Sequence, residues 1–248
     1  MRLSVIVLCR DNPSELAETL HSIPAAMGST PLGHLEVLVV DGSTTPDCRV
    51  QVETMPQRQG RLQLSWHPLR PRGVYDAMNR GLTLARGEWI AFMNAGDVYE
   101  SHGLALLWRH AQDQLLRLGP ERAVAVFGQA WVDPISGSAR PWLTPDPSMT
   151  RLRRWLRFMV PCHQAFLFAA CFARHHPYDL RAGITADRSV MRAALSRAGE
   201  GSYLPVPVCR FRLGGQSSRQ GVKAWLSAWP SLLPWMMRHR ARWIGRTC

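Results

Sequence analysis

The chain has almost no lysine. Lys223 is the only one; arginines supply the rest of the basic charge, and the formal net charge is +12. No acidic residue follows Glu200. This balance favours anionic partners in general: nucleotide phosphates, an anionic membrane surface or nucleic acid. Guanidinium forks suit phosphates, although genome composition alone also produces an arginine bias. Cysteines are few and scattered (Cys9, Cys48, Cys162, Cys171, Cys209 and Cys248). With no C-x-x-C and no Cys/His cluster at zinc spacing, free thiols in a reducing compartment are expected rather than a disulfide framework. No run of about 20 apolar residues occurs, so no spanning helix is expected. The nearest, Phe158 to Ala173, is broken by Pro161, His163 and Gln164. The opening MRLSVIVLCRDN is not expected to act as a signal peptide, because its apolar run is short, charged residues follow and no small-residue cleavage site is present. There is no G-x-G-x-x-G after the first apolar run and no Walker A sequence. A dinucleotide fold or a P-loop NTPase therefore lacks its phosphate-binding signature.

What is present reads as a globular α/β chain. It is 46% hydrophobic and 19% charged, which excludes disorder, and 248 residues bury a core for one domain or one and a half. Leu3 to Cys9 is a buried strand. Asn12 is placed as the N-cap of a helix with Pro13 at its first position and Glu15 at N3, its apolar face Leu16, Leu20 and Ile23, ending before Pro24. Leu35 to Val40 is a second strand that stops at Asp41-Gly42-Ser43-Thr44, and Leu62 to Trp66 is a candidate third. Strand–helix alternation with near-continuous apolar strands predicts a mostly parallel sheet covered on both faces.

The most informative stretch is Gly73 to Asp97, GVYDAMNRGLTLARGEWIAFMNAGD. Tyr75, Met78, Leu82 and Ala85 share a helix face, Arg86-Gly87 stops the helix, and Glu88 to Met93 is a buried strand. It ends in Asn94-Ala95-Gly96-Asp97, a turn with a carboxylate at the C-terminal end of a strand, where open α/β sheets bind ligands. Asp41 and Asp97 thus form a pair suited to a nucleotide and its metal. Both are also ordinary turn formers.

Further on, Gly103 to Leu118 reads as a helix, Ala123 to Val132 as a strand and Pro134 to Pro147 as a surface loop. Residues 151–159 interleave arginines with Leu152, Trp155, Leu156, Phe158 and Met159, which fits a membrane-surface helix or an exposed helix with one buried face. His163, beside the apolar run Ala165 to Phe172, is expected to be structural. A Cys162–His163 dyad is disfavoured, since neighbours along a strand point to opposite faces. Asp187 opens a helical stretch running through Ala198, as an N-cap or as a general base. Cys209 to Ser218 is strand-like and runs into a Gly-Gly turn. The tail mixes Trp225, Trp229, Trp235 and Trp243 with arginines, a composition shared by interfacial membrane segments, domain-capping helices and nucleic-acid binders.

Taken together, SVIVLCRDN, VLVVDGST, GVYDAMNRGLTLARGEWIAFMNAGD, CHQAFLF, ITADRSVMRAAL and FRLGGQSS resemble a family 2 glycosyltransferase of the GT-A fold, most like bacterial enzymes of exopolysaccharide and colanic-acid-type synthesis. The likeness spans roughly residues 3 to 218. It implies a GT-A domain over 1–218 and inverting transfer from a nucleotide-sugar donor to a lipid-linked or saccharide acceptor, with Mg²⁺ or Mn²⁺. The remaining 219–248 reads as a basic amphipathic segment, so a cytoplasmic protein is expected, with peripheral contact at the cytoplasmic face of the inner membrane as the reading of that tail. Carried onto this chain, Asp41 holds the base or ribose, Asp76 lies near the donor, Asn94 to Asp97 occupies the place of the DxD-type motif with Asp97 on the metal, and Asp187 is the catalytic base. Arg210 or Arg212 clamps the diphosphate. Two departures stand out: Asn94 replaces a first Asp, and Ala186 replaces a frequent acidic residue. The alternatives are a nucleotide-sugar binder without turnover and, less in keeping with the motifs, a nucleic-acid-binding protein.

Overall fold

The sheet grows outward from its first strand, β1 (Arg2–Cys9), in which every residue after Arg2 is buried. A strand covered on both faces needs such an unbroken apolar run. Its one polar member, Ser4, is satisfied by Glu36 and by the backbone N–H of Gly87. The computed structural model describes residues 2–28, 34–134, 142–144, 162–198 and 201–214. After β1 come α1 (Pro13–Met27), β2 (His34–Asp41), α2 (Asp47–Thr54), β3 (Arg58–Gln59), β4 (Leu62–Pro68), α3 (Val74–Leu84) and β5 (Trp89–Asn94). Then follow β6 (Val98–Tyr99), α4 (Gly103–Leu118), β7 (Ala125–Asp133), β8 (Trp142–Leu143), β9 (Phe166–Ala169), α5 (Ala170–His175), α6 (Ala186–Arg197) and β10 (Tyr203–Arg212). Short 3-10 turns occupy His163–Ala165 and Leu180–Thr185.

Among the described residues the strand order is β3-β4-β2-β1-β5-β9-β7-β10-β6, with β8 on β7. The β4-β2-β1-β5 block is parallel, as is β7-β10, and β9 joins the two blocks by antiparallel pairing. The predicted helix-covered, mostly parallel sheet is therefore observed. Its centre is the buried cluster of Ile6, Val7, Val39, Phe92 and Phe168. α3 lies close on β1 because Gly81 faces Ile6: a Cβ there would stand 2.5 Å from the Ile6 side chain.

Several boundaries differ from expectation. α1 runs through Pro24 to Met27. The proline removes one late hydrogen bond, while Ala26 and Met27 are buried, and burying a methionine alone is worth about 2 kcal/mol. Asn12 holds the N-cap position, but its side chain accepts from the Arg10 N–H (3.0 Å) and caps nothing. The run Ala165 to Phe172 is a 3-10 turn, a four-residue strand and a helix start. Cys162 and His163 therefore do not sit in one strand. α6 starts at Ala186, so Asp187 lies inside its first turn and not at its N-cap. The basic segment 151–159 and the tail beyond Gly214 lie outside the described residues. Met1–Arg212 forms one compact unit, and among the described residues no helix is long and apolar enough to cross a membrane.

Candidate active site

β2 and β5 flank β1 and their chains leave in opposite directions, so the strand order reverses at β1. Crevices at such a reversal, outside the carboxyl ends, are where open α/β sheets take ligands. The register puts Asp41 opposite Cys9 and Asn94 opposite Leu8. The two predicted strand-end motifs therefore stand on either side of the end of β1.

Asp41 is buried and fully engaged. Oδ1 accepts from the Ser43 N–H (2.8 Å) and Oδ2 from the Trp66 indole N–H (2.9 Å). Both loops at this edge are stitched together, because Asp11 accepts from the Thr44 N–H (2.7 Å) and donates its own N–H to Ser43 Oγ (2.8 Å). The Thr44 N–H is the main reason the Asp11 carboxyl is held below its ordinary range. Cys9, Asp41 and Cys48 offer ligand atoms within 4.8 Å of one another. Two thiols make a soft set, ill-matched to Mg²⁺.

Asp97 is 4% exposed. Its Oδ2 accepts from Gln164 Nε2 (2.9 Å) and Asn94 Nδ2 (3.4 Å), and its Oδ1 from the Arg212 backbone N–H (3.0 Å). Burial pushes the carboxyl up to about 7 despite these donors. The Asn94–Asp97 turn is fixed to α1 through Thr19, whose hydroxyl donates to the Asp97 carbonyl (2.7 Å) and accepts from the Gly96 N–H (3.0 Å). Gly96 has φ +100, and a Cβ there meets only Glu15 at 3.6 Å, so the constraint is backbone conformation and not space. Gly96→Ala should lower unfolding free energy by about 1–2 kcal/mol. An unchanged denaturant midpoint would contradict this.

Asp97 supplies a hard oxygen whose Oδ1 accepts one protein hydrogen bond, and the Asn94 amide adjoins its Oδ2. Its charge is disfavoured by burial and is only partly relieved by three amide donors and the Arg212 charge, so a cation would offset a cost already present. This fits Mg²⁺ or Mn²⁺ drawing its remaining ligands from phosphates and water.

Asp187 is half-buried on α6 and accepts from the Arg188 N–H (2.7 Å). Its charge is felt by Tyr75, Tyr178 and His163. His163 Nε2 is 2.7 Å from the Tyr178 hydroxyl, while Nδ1 is buried without a partner. Because Gln164 holds Asp97, adjacent residues tie the strand-end carboxylate to the Asp187 neighbourhood. Burial lowers the His163 pKa from 6.5 to about 4. The folded state thus stays neutral where the unfolded chain takes up a proton. Its contribution to stability is unaffected above pH 6.5 and is lost as pH falls toward 4, by roughly 3 kcal/mol. His163→Gln, which keeps a partner for Tyr178, should remove that acid-side loss. If unfolding free energies of both proteins fall in parallel from pH 7 to 4, the assignment is wrong.

The other predicted residues are placed differently. Asp76 sits in the first turn of α3, accepting from the Arg72 N–H (2.8 Å) and Arg80 Nε (3.0 Å), which is a helix-start role. Arg210 is paired with Asp133 (2.8 Å) and Glu100 (3.2 Å), so its charge is already answered within the fold. Arg212 pairs with Glu18 and gives its backbone N–H to Asp97. Trp66 and Gln164, which bond Asp41 and Asp97, and Tyr178, which meets His163, line the candidate site and are not assigned by motif reading.

Residues 4–167 match the family model described as glycosyl transferase family 2. The chain belongs to glycosyl transferase family 2. This glycosyltransferase is 30% identical over 203 residues to a PGL/p-HBAD biosynthesis glycosyltransferase of Mycobacterium bovis (strain BCG / Pasteur 1173P2), covering 80% of this chain and 73% of that one. It is 27% identical over 225 residues to an uncharacterized glycosyltransferase of Mycobacterium tuberculosis (strain ATCC 25618 / H37Rv), covering 90% and 79%. Among solved structures, S. aureus TarS 1-349 in complex with UDP superposes with TM-score 0.63 at 16% identity over 88% of this chain. The mannosyltransferase PcManGT from Pyrobaculum calidifontis, in complex with GDP-Man and Mn²⁺, gives 0.55 at 20% identity over 86%. These likenesses establish the GT-A fold of the glycosyltransferase. It spans about three fifths of the length of those solved chains, 62% and 57% respectively.

Proposed function

We propose that this glycosyltransferase moves a sugar, with inversion, from a nucleotide-sugar donor to a hydroxyl of a lipid-linked or polysaccharide acceptor. The observation that carries the reading is the pair of buried carboxylates, Asp41 and Asp97, on either side of the end of β1, with Asp187 on a separate segment. Family membership supports transfer, and the UDP, UDP-GlcNAc and GDP-Man complexes of fold neighbours support a nucleotide-sugar donor.

In this reading Asp41, fixed by Trp66 and Ser43, receives the nucleoside. Asp97 and Asn94 would hold Mg²⁺ or Mn²⁺, which would supply positive charge to offset that developing on the diphosphate. Asp187 takes the proton of the acceptor hydroxyl as that oxygen bonds to the anomeric carbon. The anomeric carbon–oxygen bond to the diphosphate breaks in the same step, and its electron pair leaves on the phosphate oxygen. The carboxylates divide the work because the base must lie opposite the leaving group. Asp76 supports the donor side by ordering the start of α3. Arg212, whose backbone already touches Asp97, is better placed than Arg210 to meet phosphate.

The acceptor side rests on sequence. Residues 1–218 are read as the transferase domain, and 219–248 as a basic, tryptophan-bearing segment that docks on anionic lipid at the cytoplasmic face of the inner membrane. An exopolysaccharide intermediate fits that location. A thermal-unfolding panel of UDP-, GDP- and dTDP-sugars with Mn²⁺ or Mg²⁺ tests the donor reading. A true donor at 100 times its Kd should stabilise the fold by about 2.7 kcal/mol, and no response to any of them would overturn it.

A further inference from the structure

We propose that Gln164 is the positioning residue for the Asp97 carboxylate and that Cys162 sets the direction of its amide, an inference that rests on Asp97 facing the cation. Gln164 is 6% exposed, and both ends of its amide are used. Oε1 accepts from the Cys162 thiol (3.0 Å), and Nε2 donates to Asp97 Oδ2 (2.9 Å). Filling this space asks only for an apolar side chain of the same length. A buried amide costs free energy unless both ends find partners, so these two bonds are what distinguish glutamine from methionine here.

The fold explains how Gln164 arrives at Asp97. β9 runs antiparallel to β5, with Phe168 opposite Ile90. The turn that precedes β9 therefore comes to the carboxyl end of β5, where the Asn94–Asp97 turn begins. That preceding turn, His163–Ala165, is a 3-10 turn closed by the Ala165 N–H on the Cys162 carbonyl (3.0 Å). With three residues to the turn, neighbouring side chains leave in different directions. His163 goes to the Tyr178 hydroxyl (2.7 Å) and Gln164 to Asp97.

The other restraints on Asp97 leave this task to Gln164. Thr19 fixes the turn through the Asp97 carbonyl and the Gly96 N–H, which is backbone only. The Arg212 N–H holds Oδ1. On Oδ2 the second donor is Asn94 Nδ2 at 3.4 Å, near the outer limit of a hydrogen bond, and Asn94 is itself assigned to the cation. Gln164 is thus the short, independent hold on Oδ2. The thiol offers its hydrogen to Oε1, which keeps the N–H end toward the carboxylate. The CHQ stretch thereby divides: Cys162 aims Gln164, Gln164 holds Asp97, and His163 serves Tyr178.

The test titrates Mn²⁺ against the melting midpoint in saturating UDP, GDP or dTDP and reads the Mn²⁺ concentration for half the shift. The metal-free midpoint reports any loss of packing separately. Gln164→Met should raise the half-shift concentration about 10- to 100-fold, the usual cost of losing a group that orients a metal ligand. Cys162→Ala should raise it about two- to fivefold, the worth of one weak hydrogen bond. Cys162→Ser keeps a donor and should return it to the native value. This pair carries the test if Gln164→Met does not fold. A native half-shift concentration in Gln164→Met, a loss confined to the metal-free midpoint, or equal values in Cys162→Ala and Cys162→Ser would each overturn the proposal. If the native protein shows no Mn²⁺-dependent shift, or Asp97→Asn keeps the native one, the metal reading fails and this inference fails with it. If Asp97→Asn loses the shift while Gln164→Met keeps it, this inference alone fails.

Discussion

Asp187→Asn is expected to lower the transfer rate by about 10²–10⁴-fold, the usual worth of a positioned general base, while donor affinity stays within about twofold. The two halves of this expectation come from different parts of the fold. Asp187 lies on α6, whereas the strand-end residues Asp41 and Asp97 belong to β2 and to the turn after β5. A change confined to α6 leaves the Trp66–Asp41 and Gln164–Asp97 bonds in place. Asparagine is isosteric and still accepts from the Arg188 N–H, so the start of α6 should hold. A large loss of kcat with intact donor binding is the signature of a residue used only in the transition state. A matched loss of donor binding would move Asp187 from base to donor contact.

Asp97→Asn should reduce kcat/KM by a factor on the order of 10²–10³, the range seen when one electrostatic stabiliser is removed, without unfolding the protein. Burial raises the Asp97 carboxyl from 3.8 to about 7. The folded state therefore keeps a proton that the unfolded chain has released, and this group's contribution to stability falls as pH rises from about 4 to about 7. Asparagine is neutral throughout, retains the bond from the Arg212 N–H, and lets Gln164 present its amide oxygen. Without divalent ions, Asp97→Asn should be at least as stable as the native protein at pH 8, and its stability should be flatter with pH. It should also lose any stabilisation by Mn²⁺. His163 tilts the native curve the opposite way across nearly the same pH window, so the two effects partly cancel until one residue is changed. Equal activity in Asp97→Asn, or stability that collapses at pH 8, would remove Asp97 from the role.

The strand ends were legible because two local signals coincide there: an unbroken apolar run and a stop containing glycine and aspartate. Asp41 and Asp97 follow from that alone. α2 was not legible, since only Cys48 and Val52 of its eight residues are buried and no apolar face announces it. The run from Ala165 to Phe172 is apolar throughout, so it carries no period to separate a 3-10 turn, a strand and a helix. Long-range partners were the harder loss. Gln164 reaches Asp97 across 67 positions, and Trp66 reaches Asp41 across 25. Neither bond leaves a mark in local pattern. Arg210 shows the converse: a basic residue at the right strand end invites a phosphate role, yet Glu100 and Asp133 already take its charge.

The central claim is that the carboxyl edge around Asp41 and Asp97 binds and consumes a nucleotide-sugar. Nucleoside diphosphate release from UDP-, GDP- and dTDP-sugars, followed side by side in the native protein and Asp97→Asn with Mn²⁺ or Mg²⁺ present, tests it most directly. One donor should be consumed by the native protein at a rate at least 100-fold above that of the variant. A folded native protein that consumes none of them, or a variant that matches it, would contradict the account.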